Sequence, residues 1–322
     1  MTRQPLAACL ALALCGCKAP PPAPEGLDAS ARYMIRNFYQ DDAVFGAGVT
    51  GYLDWFENGG GKELVGVVAT PETDVTSFTV SPLVAEDVAQ LPLDAEILLE
   101  PGAAGPDDDV LGPRDLSQAV GVIAVDEIPC TWQQIEGLLL GEDPASIFPT
   151  YEAYERTYLT SSKAYFDASA NDVFVPMDEP FDPHAPGADV DAYAPSLMLT
   201  DNLPDPAPQP LVGDLPPFDL RIEARHGEYE VGADAVGLAA VLSYAPGAMW
   251  TDGGGNGMRQ TFAMEMLAEL HGTSTLRMLA VWSEPDMLGV DPSAPIALYL
   301  AVQQAQSSNK DMKLACEALK AE

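Results

Sequence analysis

Apolar residues recur at helical spacing over 31–39, behind Asp28 or Ser30, and again through Val44, Phe45, Tyr52, Leu53 and Phe56, behind Asp41. This pattern predicts two capped helices, the second ending at Asn58-Gly59-Gly60-Gly61. Extended runs at 64–69 and 77–80 lead to Ser81-Pro82, where a cap followed by proline predicts a helix to about Leu91. Residues 28–105 thus read as a small α+β region. Prolines, glycines and the run Asp107-Asp108-Asp109 follow, and residues 106–117 have the composition of a linker.

From residue 118 onward strands dominate the pattern. Val120-Gly121-Val122-Ile123-Ala124-Val125 is a buried-strand run, and Thr131-Trp132-Gln133-Gln134 has the Thr-x-x-Gln form that caps a helix over 132–140, closed by Gly141. Residues 150–168 alternate like paired strands, and a turn at Ser161-Ser162 would set Tyr158 opposite Tyr165 and Arg156 opposite Asp167. Prolines are so dense over 176–217 that only 196–200 can make a strand there. Alternation resumes at Leu220, Ile222 and Ala224. A hairpin turning at His226-Gly227 would pair Ala224 with Tyr229, Ile222 with Val231 and Arg225 with Glu228, although it sets Glu223 against Glu230.

A second hairpin reads from 261 to 283 around Gly272-Thr273-Ser274, pairing Leu270 with Leu276, Met266 with Ala280 and Met264 with Trp282. Met258, Phe262, Met266 and Leu270 also stand at helical spacing, so a helix competes; the one-sided apolar face favours the hairpin. Pro292-Ser293-Ala294-Pro295 opens a last helix that runs to Leu319, with Ser308-Asn309 the place where a break would fall. The fold class is α+β: a small N-terminal α+β region, then an antiparallel sheet on a long C-terminal helix.

The first residues are of another kind. Arg3 precedes an apolar run over 6–14, too short to span a bilayer, which ends in Leu14-Cys15-Gly16-Cys17. Those four residues resemble the lipobox of bacterial lipoproteins. The resemblance implies a signal peptide at 1–16, removed on export, a fatty acyl group such as palmitate on Cys17, and anchoring in the cell envelope, at the outer membrane. Residues 17–27, with Pro20-Pro21-Pro22-Ala23-Pro24, read as an extended tether. Cleavage and acylation would remove Cys9, Cys15 and Cys17 from consideration. Cys130 and Cys316 then remain, as a disulfide suited to an oxidising compartment or as two buried thiols.

Composition narrows the partners further. Forty-nine acidic residues against 15 basic ones leave a formal charge of −34, a field that repels phosphate backbones, so nucleic acid is not expected. His184, His226 and His271 are scattered, and two of them precede glycine as turn residues do. No His-x-x-x-His, Cys-x-x-Cys or Gly-x-Ser-x-Gly occurs, and Gly59-Gly60-Gly61-Lys62 is followed by Glu63 rather than Ser or Thr. Asp178, Glu179, Asp182, Asp189 and Asp191 lack the spacing of a calcium loop. No catalytic residue, metal or cofactor is expected, and no enzyme.

Strand, helix, paired strands, further hairpins and a final long helix, in that order over 118–322, resemble the helix-grip fold of START-like proteins. In that family the sheet wraps the last helix and leaves a cavity for an apolar small molecule. The resemblance implies that Phe262, Met264, Met266, Met278, Ala280 and Trp282 face the final helix and line that cavity; methionine adapts well to irregular guests. The same stripe read as packed core gives the alternative: a structural or protein-interaction lipoprotein with no pocket.

Overall fold

The computed structural model describes residues 21–60, 80–99, 110–141, 144–158, 197–207, 216–231, 234–250, 256–270, 272–287 and 295–321. The leader with Cys17, the extended runs at 64–69 and 77–79, the triple aspartate, the proposed partner strand at 161–168, His184 and His271 lie outside them.

Helix α1 spans Leu27–Arg36 and α2 spans Asp42–Trp55. Asp41 caps α2 as expected, its carboxylate accepting from the Val44 amide at 2.9 Å. Helix α1 starts earlier than Asp28 or Ser30 would place it. Gly26 stands at its N-cap with φ 88°, a conformation that strains any side chain. The helix expected after Ser81-Pro82 does not form; residues 81–91 are turns. Asp87, fully buried, takes the Val84 amide and the guanidinium groups of Arg32 and Arg36. A side chain so placed competes with the backbone for the donors that a helix would use.

Strands β1 (Glu96–Leu98) and β2 (Val110–Pro113) make a small separate sheet, so part of the expected linker is ordered structure. The main sheet holds β3 (Val120–Ile128), β4 (Tyr151–Tyr158), β5 (Leu197–Pro206), β6 (Leu220–Val231), β7 (Asp234–Tyr244), β8 (Met249–Trp250), β9 (Asn256–Leu270) and β10 (Ser274–Met287). Its order is β3-β10-β9-β7-β6-β5-β4, antiparallel throughout, with β8 on the side of β9. Helix α3 (Trp132–Leu140) follows β3 with the full Thr131–Gln134 capping box, and α4 (Pro295–Ala321) ends the chain unbroken through Ser308-Asn309. The antiparallel sheet with a long C-terminal helix on one face is the α+β arrangement expected from the sequence.

Three pairings differ from the sequence reading. Strand β6 does not turn at His226-Gly227 but continues to Val231, which pairs with Asp234, so Glu223 meets Leu242 instead of Glu230. The like-charge clash of the earlier register is thereby relieved. The β9–β10 hairpin forms with Leu270 opposite Ser274, two residues tighter than expected, and Gly272 at φ 72° in its loop. Because side chains alternate with period two, that shift leaves every residue on its expected face. Strand β4 pairs with β5, Arg156 opposite Asn202, and β5 runs ten residues into the proline-rich stretch.

Alternation gives the sheet two buried faces. On one, α1, α2 and residues 80–93 pack over even-numbered positions of β7, β9 and β10 in the largest apolar cluster. On the other, α3 and α4 pack over Val122, Ala124, Ala239 and Leu267. The N-terminal helices therefore share one core with the sheet.

Candidate functional site

The six residues expected to line a pocket share a face, but it is not the face that α4 covers. Phe262, Met264, Met266, Met278, Ala280 and Trp282 are each 0% exposed and belong to the cluster that α1 and α2 close. The indole of Trp282 donates to the Ser81 carbonyl at 2.9 Å, and Arg225 reaches across from β6 to the same layer. It donates to the Phe38 and Gln40 carbonyls and to Asp42 at 2.6, 3.0 and 2.8 Å, with its guanidinium 4.2 Å from the centre of the Phe45 ring. Period-two patterning says which residues share a face. It does not say which of two helical layers will cover it.

The α4 side carries the polar residues instead. Arg277, 1% exposed, donates to Glu265 Oε1 at 2.7 Å, to Asn309 Oδ1 at 2.6 Å and to Ser308 Oγ at 2.9 Å. Ser308-Asn309, suspected as a helix break, is thus the polar step in α4 that receives a buried arginine. Lys313 donates to Asp126 on β3 at 2.6 Å. Cys130, just before α3, and Cys316, on α4, are joined by a disulfide with Cα atoms 5.8 Å apart. The Cys130 carbonyl also accepts from Thr275 Oγ1 at 2.7 Å. Three fasteners along α4 hold it to β3, β10 and the start of α3.

Two further buried ionisable groups escaped the sequence reading. His226 is no solvated turn residue: it is 5% exposed in mid-strand, its Nδ1 3.5 Å from Glu136 Oε1 on α3, with the Trp132 ring beside it. Glu223, 0% exposed on the α1–α2 side, accepts from Tyr244 Oη at 3.1 Å. Burial pushes its carboxyl up to about 8, against the smaller opposing effect of that hydrogen bond. The unfavourable Glu223–Glu230 register was the one sequence signal that pointed at either group.

No known family model matches the chain, and no curated protein matches it. Among solved structures it is similar to a START superfamily protein from Mycobacterium smegmatis, at 12% identity and TM-score 0.34, over 62% of this chain and 98% of that one. Human StAR-related lipid transfer protein 5 is similar at 12% and 0.33, over 73% and 94% of the two chains. The Zhui aromatase/cyclase from Streptomyces gives 13% and 0.29, over 63% and 94%.

Proposed function

We propose that this chain is an exported lipoprotein, tethered to the cell envelope through Cys17, that acts non-catalytically as a protein-interaction scaffold. The Cys130–Cys316 disulfide carries the export half of this reading, since such bonds persist in oxidising compartments and are rare in the cytosol. It accords with Leu14-Cys15-Gly16-Cys17 at the head of the chain. No helix among the described residues is long and apolar enough to cross a membrane, and a lipid anchor with a proline-rich tether would attach the body without one.

The scaffold half rests on the apolar stripe. An apolar guest needs surface to line its cavity, and six side chains at 0% exposure supply none to a solvent-reached pocket on their face. The face under α4 is pinned by charged and hydrogen-bonded groups. The carboxylate with the strongly raised pKa, Glu223, is wholly buried, where no substrate reaches it. Native mass spectrometry with a hydrophobic fluorophore tests this half. The scaffold reading predicts no stoichiometric uptake, and one bound fluorophore per chain would replace it with the apolar-ligand reading.

A further inference from the structure

In a chain of charge −34, a cation without a partner stands out. Every arginine among the described residues is held by a carboxylate or carbonyl oxygen, from Arg32 and Arg36 on Asp87 to Arg277 on Glu265. Lys313 is held by Asp126. Lys310 and Lys320, both exposed on α4, have no hydrogen bond or ion pair among the described residues. At 100° and 1.5 Å per residue, the three lysines occupy an arc of about 80° along some 15 Å of helix, with Glu317 between the last two.

Beside Lys310 and Lys313, and ending short of Lys320, runs a groove of about 390 Å³ between α4 and β3, lined by Val125, Asp126, Gln306, Lys310, Lys313 and Leu314, together with Asn309. Leu314 is 54% exposed, the most exposed large apolar side chain among the described residues. Strand β3 is the end of the sheet: β10 pairs with all nine residues on one side, and among the described residues no strand pairs with the other. An edge strand leaves half its peptide groups facing outward, a template for one more strand.

We infer that this groove docks an extended acidic segment of a partner protein, added as a strand to the outer edge of β3. This deepens the scaffold reading above and rests on it. The peptide backbone of the segment would continue the ladder, its carboxylates would meet Lys310 in the groove and Lys320 beyond its end, and an apolar side chain would cover Leu314. About five extended residues span the 15 Å lysine row. The overall anionic field is no obstacle at close range, because salt screens it beyond about 8 Å while contacts inside the groove persist.

The test is fluorescence anisotropy of a labelled Glu-Val-Glu-Val-Glu-Val-Glu peptide with the full chain. Saturable binding is expected, roughly tenfold weaker in K310E/K320E with an unchanged melting temperature. Hydrogen exchange should slow at β3 on binding. K310A/K320A should weaken binding less than the charge reversal, which separates lost attraction from new repulsion. Equal affinity in K310E/K320E, or equal affinity for a peptide N-methylated at alternate residues, overturns the inference. So does dimerisation of the unliganded chain that K310E/K320E abolishes, which would assign the groove to a second copy. Absence of peptide binding in a chain that also takes up no fluorophore sinks the groove and leaves the scaffold reading standing. Stoichiometric fluorophore uptake sinks the scaffold reading itself.

Discussion

Replacing Arg277 by methionine deletes the cation at the centre of the α4 interface while nearly preserving its volume. Glu265, 7% exposed, then keeps its charge without the guanidinium at 2.7 Å, and Asn309 and Ser308 lose their donors. Removing one partner of a buried ion pair typically costs about 3–5 kcal/mol, because the other charge stays desolvated. For a body of roughly 300 residues, whose unfolding entropy is about 2 cal/mol/K per residue, a loss of about 4 kcal/mol lowers the melting temperature by about 6 °C. Circular dichroism melts of the wild type, R277M and the double variant R277M/E265Q would read this out. The double variant should recover much of the loss, since neutralising Glu265 removes the stranded charge. A change under about 1 kcal/mol in R277M, or a double variant no better than the single, would refute the view that this arginine pins α4 to the sheet.

Other consequences separate packed core from pocket. Met266→Ala should cost about 2–5 kcal/mol in denaturant unfolding, the loss typical of a truncated core methionine; a near-neutral result would mean the stripe borders open space. Glu223 holds its proton up to about pH 8 when folded, against about 4.5 unfolded, so its contribution is complete below pH 4.5 and lost as pH rises through 8. Over that window the wild type should lose stability relative to E223Q by about 1.4 kcal/mol per pH unit, and parallel stability curves for the two proteins would contradict the assignment. Reducing Cys130–Cys316 opens a link across 186 positions of sequence. Chain entropy sets the resulting loss at about 5 kcal/mol at most. Melts with and without dithiothreitol that coincide would argue against the bond.

Local signals were legible where the competing interactions were also local. The Thr131–Gln134 capping box, the Asp41 cap and the alternating face of β9 and β10 all depend on residues a few positions apart, and all appear in the structure. The pairing of Cys130 with Cys316 was one of two open readings, because an even cysteine count does not contain a distance. What failed depended on distant partners. Residues 81–91 open with the cap-and-proline start Ser81-Pro82, yet Arg32 and Arg36 draw Asp87 inward. His226-Gly227 has turn composition, yet α3 covers it and the strand continues. The methionine stripe was assigned to the right face of its hairpin and to the wrong helix. The missed signal was on the opposite face, where the polar pair Glu265 and Arg277 matches Ser308-Asn309 on α4.

Intact-mass analysis of the chain extracted from membranes tests the central claim most directly. The account predicts a species that begins at Cys17, carries acyl chains there, and is two hydrogen atoms lighter than the fully reduced chain. A soluble species that retains residues 1–16, with free thiols at Cys130 and Cys316, would contradict it.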